Sequence, residues 1–474
     1  MSSFLRSVHT LTAPLASARA SSTGRPCLEF IKSLREKISR ALATAIVFSL
    51  AGAGARSADP AIEARLDAYL NPYVAAHDFS GVVLIARGDS VLAHKAYGMA
   101  DFTRDVPNKP DTKFRTASVS KTFTATAIIM LREQGKLKLT DALSQFLPDF
   151  PNGQGITIEH LLDHRSGVGT FDDPEVSEKN LPTAELVRRI AKRPPLFAPG
   201  IKEVYSNEGY VLLAAIIEKL SGLEYDQFLQ ERIFEPLGMR DSGTVRIGRT
   251  VPNHALGHVP GPGPKGVSSL GYEESGRPGA GSIYSTTADL YRWMKAIRGQ
   301  RLSHYDSFPD AYGWGKRTYG GRHLIEQAGL NEGFNSYIAI YRDEPVFIAF
   351  LSNVQTGLFN RVALDLNAIV FGGEFSKPPS VRPVAITEEK LAEYIGRYEA
   401  SSIPVPLHLV RRDGALHIQW GRYRAVRPLI PTGPDEFFYR SEYVAIRFQR
   451  NASGKIENAV WSAGSGEPIR FARK

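Results

Sequence analysis

Residues 114–137, FRTASVSKTFTATAIIMLREQGKL, join a short polar start to a long apolar-periodic segment. Between residues 117 and 134 the apolar side chains recur at helical spacing, and Gly135 is a typical helix end. Ser118 and Lys121 lie three residues apart at its start, so one helix face would carry both side chains. Because a serine hydroxyl needs a base within hydrogen-bond distance to attack a carbonyl, the spacing suits a nucleophile and its base.

The position of these two residues supports catalysis, but it also allows a purely structural interpretation. At a helix start, the free N–H groups favour negative charge on Ser118, and partial burial would lower the pKa of Lys121. A solvated lysine beside a helix cap would give the same pattern, and chance predicts about one S-x-x-K in a chain of this length. The motif alone leaves both interpretations open.

A second motif precedes another apolar helix, in residues 203–222, EVYSNEGYVLLAAIIEKLSG. Tyr205 and Asn207 lie two residues apart there. A tyrosine oxygen near cations could serve as a base, and an asparagine amide could hold a substrate carbonyl. The same Y-x-N pattern occurs at Tyr69, within a predicted N-terminal helix, where we interpret it as packing.

Composition excludes several classes of protein. The chain has 474 residues, 43% of them hydrophobic, which is enough for one large core or two domains. Of the net charge of +9, six charges belong to residues 1–58, so the remainder does not resemble a nucleic-acid-binding protein. Cys27 is the single cysteine. His254 and His258 lie in a Gly/Pro-rich loop rather than on a helix, so we expect neither a metal nor a cofactor.

The N-terminal segment predicts export. A basic stretch precedes ALATAIVFSLAGAGA, residues 41–55, which is uncharged and ends in small residues. This layout is typical of a signal peptide, so we assign residues 1–58 to targeting and expect a periplasmic or secreted protein without a later membrane span. An uncleaved membrane anchor and a disordered tail with a short buried helix are the alternatives.

The rest of the chain predicts a large α+β domain, residues 59–372, followed by a small all-β domain. Residues 81–98 and 334–353 each read as an antiparallel hairpin, with predicted helices between them, so a sheet flanked by helices is expected. Residues 373–385 have the composition of a linker. Short strands and tight turns then predict a barrel over residues 386–474.

Four segments in this order resemble one known family. They are FRTASVSKTFTA, TIEHLLDHRSGV (157–168), FAPGIKEVYSNEGYVLLAAIIEKLSG (197–222) and GAGSIYSTTADLYRW (279–293). Together they resemble the serine β-lactamase-related hydrolases. That group includes class C β-lactamases, D-stereospecific peptidases, penicillin-binding DD-peptidases and β-lactamase-fold esterases.

The resemblance implies a fold and a chemistry. It implies a five-stranded antiparallel sheet flanked by helices, with the active site between this sheet and a helical subdomain. Ser118 would form an acyl-enzyme, Lys121 and Tyr205 would share the proton transfers, and Asn207 would orient the substrate. The oxyanion would be held by the Ser118 N–H and by an N–H of the edge strand. The C-terminal residues resemble the lipocalin-like barrel often appended to this family, and His164 would be structural.

The chain departs from the family at the edge strand, HLIEQAGLNEGFNSYIAIY, residues 323–341. The family carries Lys-Thr-Gly or His-x-Gly where this chain has Gln327, Ala328 and Gly329, followed by Leu330. A neutral amide cannot pair with a substrate carboxylate as a cation can. We therefore expect substrate contacts from Gln327, Gly329 and Leu330, and activity on esters or peptide-like amides rather than β-lactams.

The sequence thus predicts a cofactor-free serine hydrolase, of esterase or D-peptidase type, acting on a small ester, amide or peptide that could include cell-wall peptide. Two alternatives stay open. One is a penicillin-binding or cell-wall-sensing protein that acylates slowly. The other is a catalytically decayed scaffold, which the replacement of the family cation by Gln327 would favour.

Overall fold

In the computed structural model, the segment around Ser118 folds largely as the sequence predicts. Phe114–Arg115 is a short strand, Ala117–Val119 forms one 3-10 turn, and Ser120–Glu133 is an α-helix. The α-helix begins after Ser118, because the 3-10 turn separates the serine from the first helical turn. Lys121 is therefore the second residue of the helix, and Ser118 lies in the turn that leads into it.

The structure describes residues 58–169, 179–261, 266–269, 277–302, 312–376, 381–420, 426–462 and 467–474. Apart from Ala58, the predicted targeting segment lies outside the described residues, and export stays a prediction. Part of the predicted linker, residues 377–380, also lies outside them.

Helices and strands occur in runs along the chain. The α-helices are α1 (Pro60–Ala75), α2 (Ser120–Glu133), α3 (Ile158–Leu162), α4 (Thr183–Ala191), α5 (Asn207–Ser221), α6 (Tyr225–Leu229), α7 (Glu235–Leu237), α8 (Thr287–Arg298), α9 (Phe359–Val370) and α10 (Glu388–Ala392). The strands of the first part are β1 (Gly81–Arg87), β2 (Ser90–Tyr97), β3 (Met99–Asp101), β4 (Val106–Pro107), β5 (Phe114–Arg115), β6 (Gly243–Thr244), β7 (His258–Pro260), β8 (Val267–Ser269), β9 (Ile283–Ser285), β10 (Gly315–Tyr319), β11 (Arg322–Asn331), β12 (Phe334–Tyr341) and β13 (Val346–Ser352). Those of the C-terminal part are β14 (Gly396–Ala400), β15 (Ile403–Arg412), β16 (Ala415–Trp420), β17 (Arg427–Pro428), β18 (Ile430–Gly433), β19 (Glu436–Tyr439), β20 (Val444–Arg450), β21 (Ile456–Ser462) and β22 (Ile469–Arg473).

The large sheet is antiparallel, with the strand order β10-β11-β12-β13-β1-β2. The sheet therefore has six strands, and the expectation of five is wrong. Gly320 and Gly321 both adopt positive φ, which allows a tight turn between Tyr319 and Arg322. This turn folds β10 back onto β11 as a sixth strand at the sheet edge. The two hairpins predicted from the sequence, β1–β2 and β12–β13, are confirmed.

Helices cover both faces of this sheet, so its central strands are buried throughout. All of β12 and β13 is buried. One face packs beneath α2 and α8, where Phe123 and Trp293 stack at a 4.1 Å centroid separation. The other face packs beneath α1 and α9 through Leu66 and Leu366. Tyr69 is 1% exposed in this second core, so its Y-x-N copy serves packing, as the sequence predicts.

The helical part lies between α2 and β9 in the chain. Helix α5 is its centre and contacts α2, α3 and α4. Its residues from 208 to 217 are buried, which fixes the N-terminal end of α5 next to α2. This end carries Tyr205 and Asn207.

The C-terminal part is an antiparallel sheet of order β17-β16-β15-β14-β22-β21-β20-β19-β18. Its two edge strands, β17 and β18, are separated in sequence only by Leu429, so the sheet nearly closes into the predicted barrel. Its core includes Tyr398, Phe437, Phe448 and Trp461. The α+β fold with an appended barrel-like sheet is therefore confirmed, whereas the domain boundaries and the likeness to lipocalins stay predictions.

The barrel is joined to the part of the molecule that holds the large sheet by direct contacts. Arg440 donates from Nε to Asp78 Oδ1 (2.7 Å), from Nη1 to the carbonyl of Gly266 (2.9 Å), and from Nη2 to the carbonyls of Ala76 (3.0 Å) and His77 (3.1 Å). The Arg440 and Asp78 side chains are only 13% and 8% exposed. Residues 57–474 accordingly form one compact unit.

Within the residues that the structure describes, no helix is both long and apolar enough to cross a lipid bilayer.

Candidate active site

The backbone around Ser118 is strained and firmly held. Ala117 has a left-handed backbone with φ +47°, which costs a non-glycine residue about 1–2 kcal/mol. The N–H and Oγ1 of Thr116 both bond to the carbonyl of Ile283 at 2.9 Å. The Thr116 carbonyl accepts from Ser336 Oγ at 2.6 Å. Strain of this kind persists only where the surrounding structure imposes it, and it is common at active sites.

The Lys121 side chain is fully buried and meets three acceptors. Its Nζ lies 3.1 Å from Ser118 Oγ, 2.8 Å from Asn207 Oδ1 and 2.8 Å from the carbonyl oxygen of Ala280. An ammonium has three N–H donors, so these acceptors satisfy the charged form. A neutral amine that donates to Asn207 and Ala280 instead directs its lone pair at Ser118. The site can therefore hold Lys121 in either protonation state.

Burial lowers the pKa of Lys121, because the buried ammonium loses its hydration. Tyr205 opposes this effect, Arg277 adds to it, and Glu208 partly offsets Arg277. Arg277 Nη1 lies 3.7 Å from Glu208 Oε1, so a cation and a nearly buried anion stand close to the amine. The lowered pKa increases the fraction of neutral amine, which is the form that can accept a proton.

Tyr205 and Asn207 flank the N-cap of α5. Ser206 is the N-cap, and its Oγ accepts from the Gly209 N–H at 3.0 Å. This start of the helix places the Tyr205 hydroxyl 2.5 Å from Ser118 Oγ, and the Lys121 Nζ lies 4.7 Å from the centre of the Tyr205 ring. Tyr205 is 51% exposed. The nucleophile oxygen is therefore in contact with the hydroxyl of a partly exposed tyrosine.

Strand β11 lies on the other side of Ser118. Gln327 Nε2 donates to the Ser118 carbonyl at 3.2 Å, so the amide that replaces the family cation bonds to the nucleophile's own backbone. A Cβ on Gly329 would lie 2.3 Å from the Thr116 carbonyl oxygen and 3.0 Å from the Ser118 nitrogen. Only glycine allows this approach. Leu330 follows on the same strand and is 46% exposed.

His164, which the sequence suggests is structural, contacts the site directly. Its Nδ1 accepts from the Ser206 N–H at 3.0 Å, and its ring lies against that of Tyr205 with centroids 4.6 Å apart. Burial, with a smaller contribution from Lys121, lowers the pKa of His164 to about 4. The imidazole is therefore neutral near pH 7 and supports Tyr205 by packing, without a charge.

The structure brings the seven residues singled out in the sequence to one place. Four converge around the nucleophile oxygen and three lie on the adjoining strand: Ser118, Lys121, Tyr205, Asn207, Gln327, Gly329 and Leu330. Sequence reasoning missed the Ala280 carbonyl, the pair Arg277 and Glu208, and the contact of His164. The segment GAGSIYSTTADLYRW did mark the neighbourhood of Ala280, but a backbone acceptor leaves no signal in residue type.

The arrangement can perform proton transfer to and from a serine. A hydroxyl with a buried amine and a phenol both within hydrogen-bond distance has two routes for its proton. The chemical roles of the seven residues stay predictions.

Comparison with known proteins agrees with this fold. Residues 66–370 match the sequence model of the Beta-lactamase family. A penicillin-binding protein of Bacillus subtilis (strain 168) is 28% identical over 435 residues, covering 82% of this chain and 94% of that protein.

Two solved structures extend the likeness. D-amino acid amidase from Ochrobactrum anthropi SV3, complexed with D-phenylalanine, has a TM-score of 0.60 at 24% identity and covers 66% of this chain and 99% of its own. The octameric penicillin-binding protein homologue from Pyrococcus abyssi has a TM-score of 0.58 at 21% identity, covering 86% of this chain and 99% of its own. At these identities the two structures establish the fold alone. The family match over residues 66–370 shows that the chain belongs to the Beta-lactamase family and is a serine hydrolase of the β-lactamase and penicillin-binding-protein type.

Proposed function

We propose that the protein hydrolyses esters or peptide-like amides through an acyl-enzyme on Ser118. The observation that carries the proposal is the buried Lys121 amine, which lies 3.1 Å from Ser118 Oγ and has two fixed carbonyl acceptors for its other N–H bonds. A lysine held in this way has a defined lone-pair direction and a lowered pKa. A solvated surface lysine has neither.

Acylation would proceed in balanced steps. Neutral Lys121 takes the proton from Ser118 as Oγ forms a bond to the substrate carbonyl carbon. The Tyr205 hydroxyl gives its proton to the leaving alkoxide or amine as the carbon–heteroatom bond breaks, and Lys121 then passes its proton directly to the Tyr205 oxygen, which restores both groups. Water then repeats the sequence on the acyl ester, which releases the acid and restores Ser118.

The developing oxyanion needs fixed donors. The Ser118 N–H is one candidate, and the Leu330 N–H on β11 is the other, because Gly329 brings this strand against the nucleophile turn. Asn207 accepts from Lys121 through Oδ1, so its Nδ2 is the end of the amide that could donate to a substrate carbonyl.

Gln327 shapes the substrate class. Because its amide is neutral and bonded to the Ser118 carbonyl, it offers no cation to a carboxylate beside the scissile bond. Esters, and D-peptide-like amides without a neighbouring carboxylate, fit this site better than β-lactam antibiotics or peptides with a free C-terminal carboxylate.

A second candidate is a penicillin-binding or cell-wall-sensing protein that acylates and deacylates slowly. Gln327 favours this candidate, and so does the 28% identity to a Bacillus penicillin-binding protein. A decayed scaffold is the third reading, and the complete set of Ser118, Lys121 and Tyr205 opposes it. Export to the periplasm or beyond, inferred from residues 1–58, would give any of the three access to cell-wall peptide.

The test uses a short-chain p-nitrophenyl ester, a D-alanyl p-nitroanilide and a chromogenic cephalosporin, each with the wild type and with Ser118→Ala. We expect ester or anilide turnover that the S118A variant lacks, with weak action on the cephalosporin. Tyr69→Phe serves as the control for Tyr205→Phe. Tyr69 belongs to the other Y-x-N copy, is distant from Tyr205 in sequence and is buried in the second core. Y205F should lose most of its turnover, and Y69F should keep it.

The other outcomes are informative. A stable adduct on Ser118 without turnover would favour the penicillin-binding candidate. Equal rates for wild type and S118A on every substrate would contradict the proposal.

A further inference from the structure

The turn between β11 and β12 holds a buried charge that the proposed chemistry does not use. Glu332 lies in this turn, two residues after Leu330, and its side chain is 11% exposed. Among the described residues, neither carboxylate oxygen of Glu332 has a hydrogen-bond partner. The guanidinium of Arg427 lies 3.9 Å from Oε1, and the Arg427 side chain is 4% exposed.

This pair crosses from one part of the molecule to the other. Glu332 belongs to the hydrolase sheet, whereas Arg427 belongs to β17, an edge strand of the barrel. A buried charge is strongly destabilising unless an opposite charge compensates it. The carboxylate therefore ties the position of the turn to the position of the barrel.

A second route joins the same turn to the barrel. The Gly333 N–H donates to Gln355 Oε1 at 3.1 Å. Two residues further on, a Cβ at Gly357 would lie 2.1 Å from the carbonyl carbon of Glu442 in the β19–β20 turn, so the two backbones touch. The segment that holds the turn is thus itself pressed against the barrel.

The β11–β12 turn also determines the position of strand β11 beside the nucleophile. Gly329 and Leu330 immediately precede it on β11, and Gly329 is in close contact with the Ser118 backbone. Because a strand shifts as a unit, a displacement of the turn moves the Leu330 N–H relative to Ser118. Misplacement of a catalytic group by about 1 Å can cost about 100-fold in rate.

We propose that Arg427 is a positioning residue for hydrolysis: through Glu332 it fixes the β11–β12 turn, and with it the Leu330 N–H. The barrel is then part of the catalytic apparatus, although none of its residues touches the substrate in this role. The inference rests on the proposed function, in which Leu330 contributes to the oxyanion site.

The test compares Arg427→Met, Glu332→Gln and the double variant R427M/E332Q in the full chain. Arg427→Met leaves the buried Glu332 carboxylate without the cation that faces it, and Glu332→Gln removes the charge that Arg427 faces, so the thermal midpoint and kcat of each single variant should fall. The double variant no longer carries the uncompensated Glu332 carboxylate, so its midpoint should rise above that of R427M. Its kcat on the p-nitrophenyl ester should stay about 10-fold below that of the wild type or lower, with KM within about twofold, because the turn has lost its anchor.

Arg447→Met/Glu436→Gln is the matched control, since it removes an exposed ion pair from the same barrel. The control should keep both stability and kcat. Recovery of kcat together with the midpoint in R427M/E332Q would show that the pair serves stability alone, and would overturn the proposal. Single variants that fold and turn over like the wild type would overturn it as well.

Labelling of Ser118 by an alkyl fluorophosphonate separates this inference from the proposed function. A wild type that is neither labelled nor active would overturn both. A labelled wild type whose double variant is labelled at an equal rate would overturn only the positioning role of Arg427. Slower labelling of the double variant, at equal stability, supports it.

Discussion

At the scale of single residues, the site depends on how Lys121 is buried. The amine is shielded from solvent and has three acceptors at 2.8–3.1 Å, two of which are carbonyl oxygens that accept but never donate. Those two oxygens determine which direction is left for the lone pair. The third contact, Ser118 Oγ, is therefore the group from which a neutral Lys121 accepts a proton.

This arrangement predicts a pH dependence for hydrolysis. Burial lowers the pKa of Lys121, and only the neutral amine can accept the Ser118 proton. We expect kcat/KM to rise with pH through this lowered pKa and to fall as the pH drops below it, because the amine is then protonated. Lys121→Arg should lose about 10²–10⁴-fold in kcat and should lack this rise, since a guanidinium does not titrate there.

The measurement is a pH profile of kcat/KM for the wild type, for K121R and for Lys136→Arg. Lys136 is an exposed lysine just beyond α2, so K136R should reproduce the wild-type profile. A K121R variant with the wild-type profile would contradict the role of Lys121 as the base.

At the scale of elements, strand β11 and the start of α5 form the two walls around Ser118. The α5 wall is held by its N-cap, Ser206, and by burial of the helix in the helical part. The β11 wall depends on one close approach, in which Gly329 lies against the Thr116 carbonyl and the Ser118 nitrogen. The width of the cleft is thus sensitive to a single methyl group.

Gly329→Ala tests this dependence. The added Cβ would lie 2.3 Å from the Thr116 carbonyl oxygen, so the strand or the nucleophile turn must shift. We expect a loss of about 1–3 kcal/mol in unfolding free energy and of about 10-fold or more in kcat. Gly315→Ala is the control on the neighbouring strand, where the new Cβ would have its nearest neighbour at 3.6 Å. Equal kcat values for G329A and the wild type, measured with the ester, would show that β11 does not position the reaction.

Local sequence patterns predicted the helices and strands around the site better than they predicted the long-range contacts between them. The helix after Ser118, the helix after Asn207 and both hairpins have strong periodicity, and the resemblance of four segments ordered them in space. The sixth strand was missed because Gly320 and Gly321 mark a turn without indicating what pairs across it. Contacts such as those of Ala280 and His164 join residues that are distant in sequence, and no local pattern carries them.

At the scale of the whole molecule, the barrel is docked through a few buried polar groups. Arg440 makes four hydrogen bonds to the hydrolase part, and Tyr443 adds a ring contact with Tyr73 of α1 at 6.2 Å. The sequence predicted two parts and a linker, which suggests independent modules. It could not reveal the docking, because most arginine side chains are exposed and nothing in the residue type marks this one as buried.

The docking predicts a large effect for Arg440→Met. The change leaves Asp78, whose side chain is 8% exposed, without its cation. We expect a loss of about 3–5 kcal/mol in unfolding free energy, because breaking a buried pair leaves an uncompensated charge. Arg447→Met removes only an exposed contact and should cost less than about 1 kcal/mol. Urea unfolding of both variants measures the difference, and equal midpoints would show that the barrel does not depend on Arg440.

The central claim is the acyl-enzyme on Ser118, and rapid-quench mass spectrometry of the p-nitrophenyl ester reaction tests it most directly. The account predicts a burst of p-nitrophenol with one acyl group on the peptide that contains Ser118, and neither burst nor adduct in S118A. Turnover that persists in S118A, or an acyl group found on a different residue of the wild type, would contradict it.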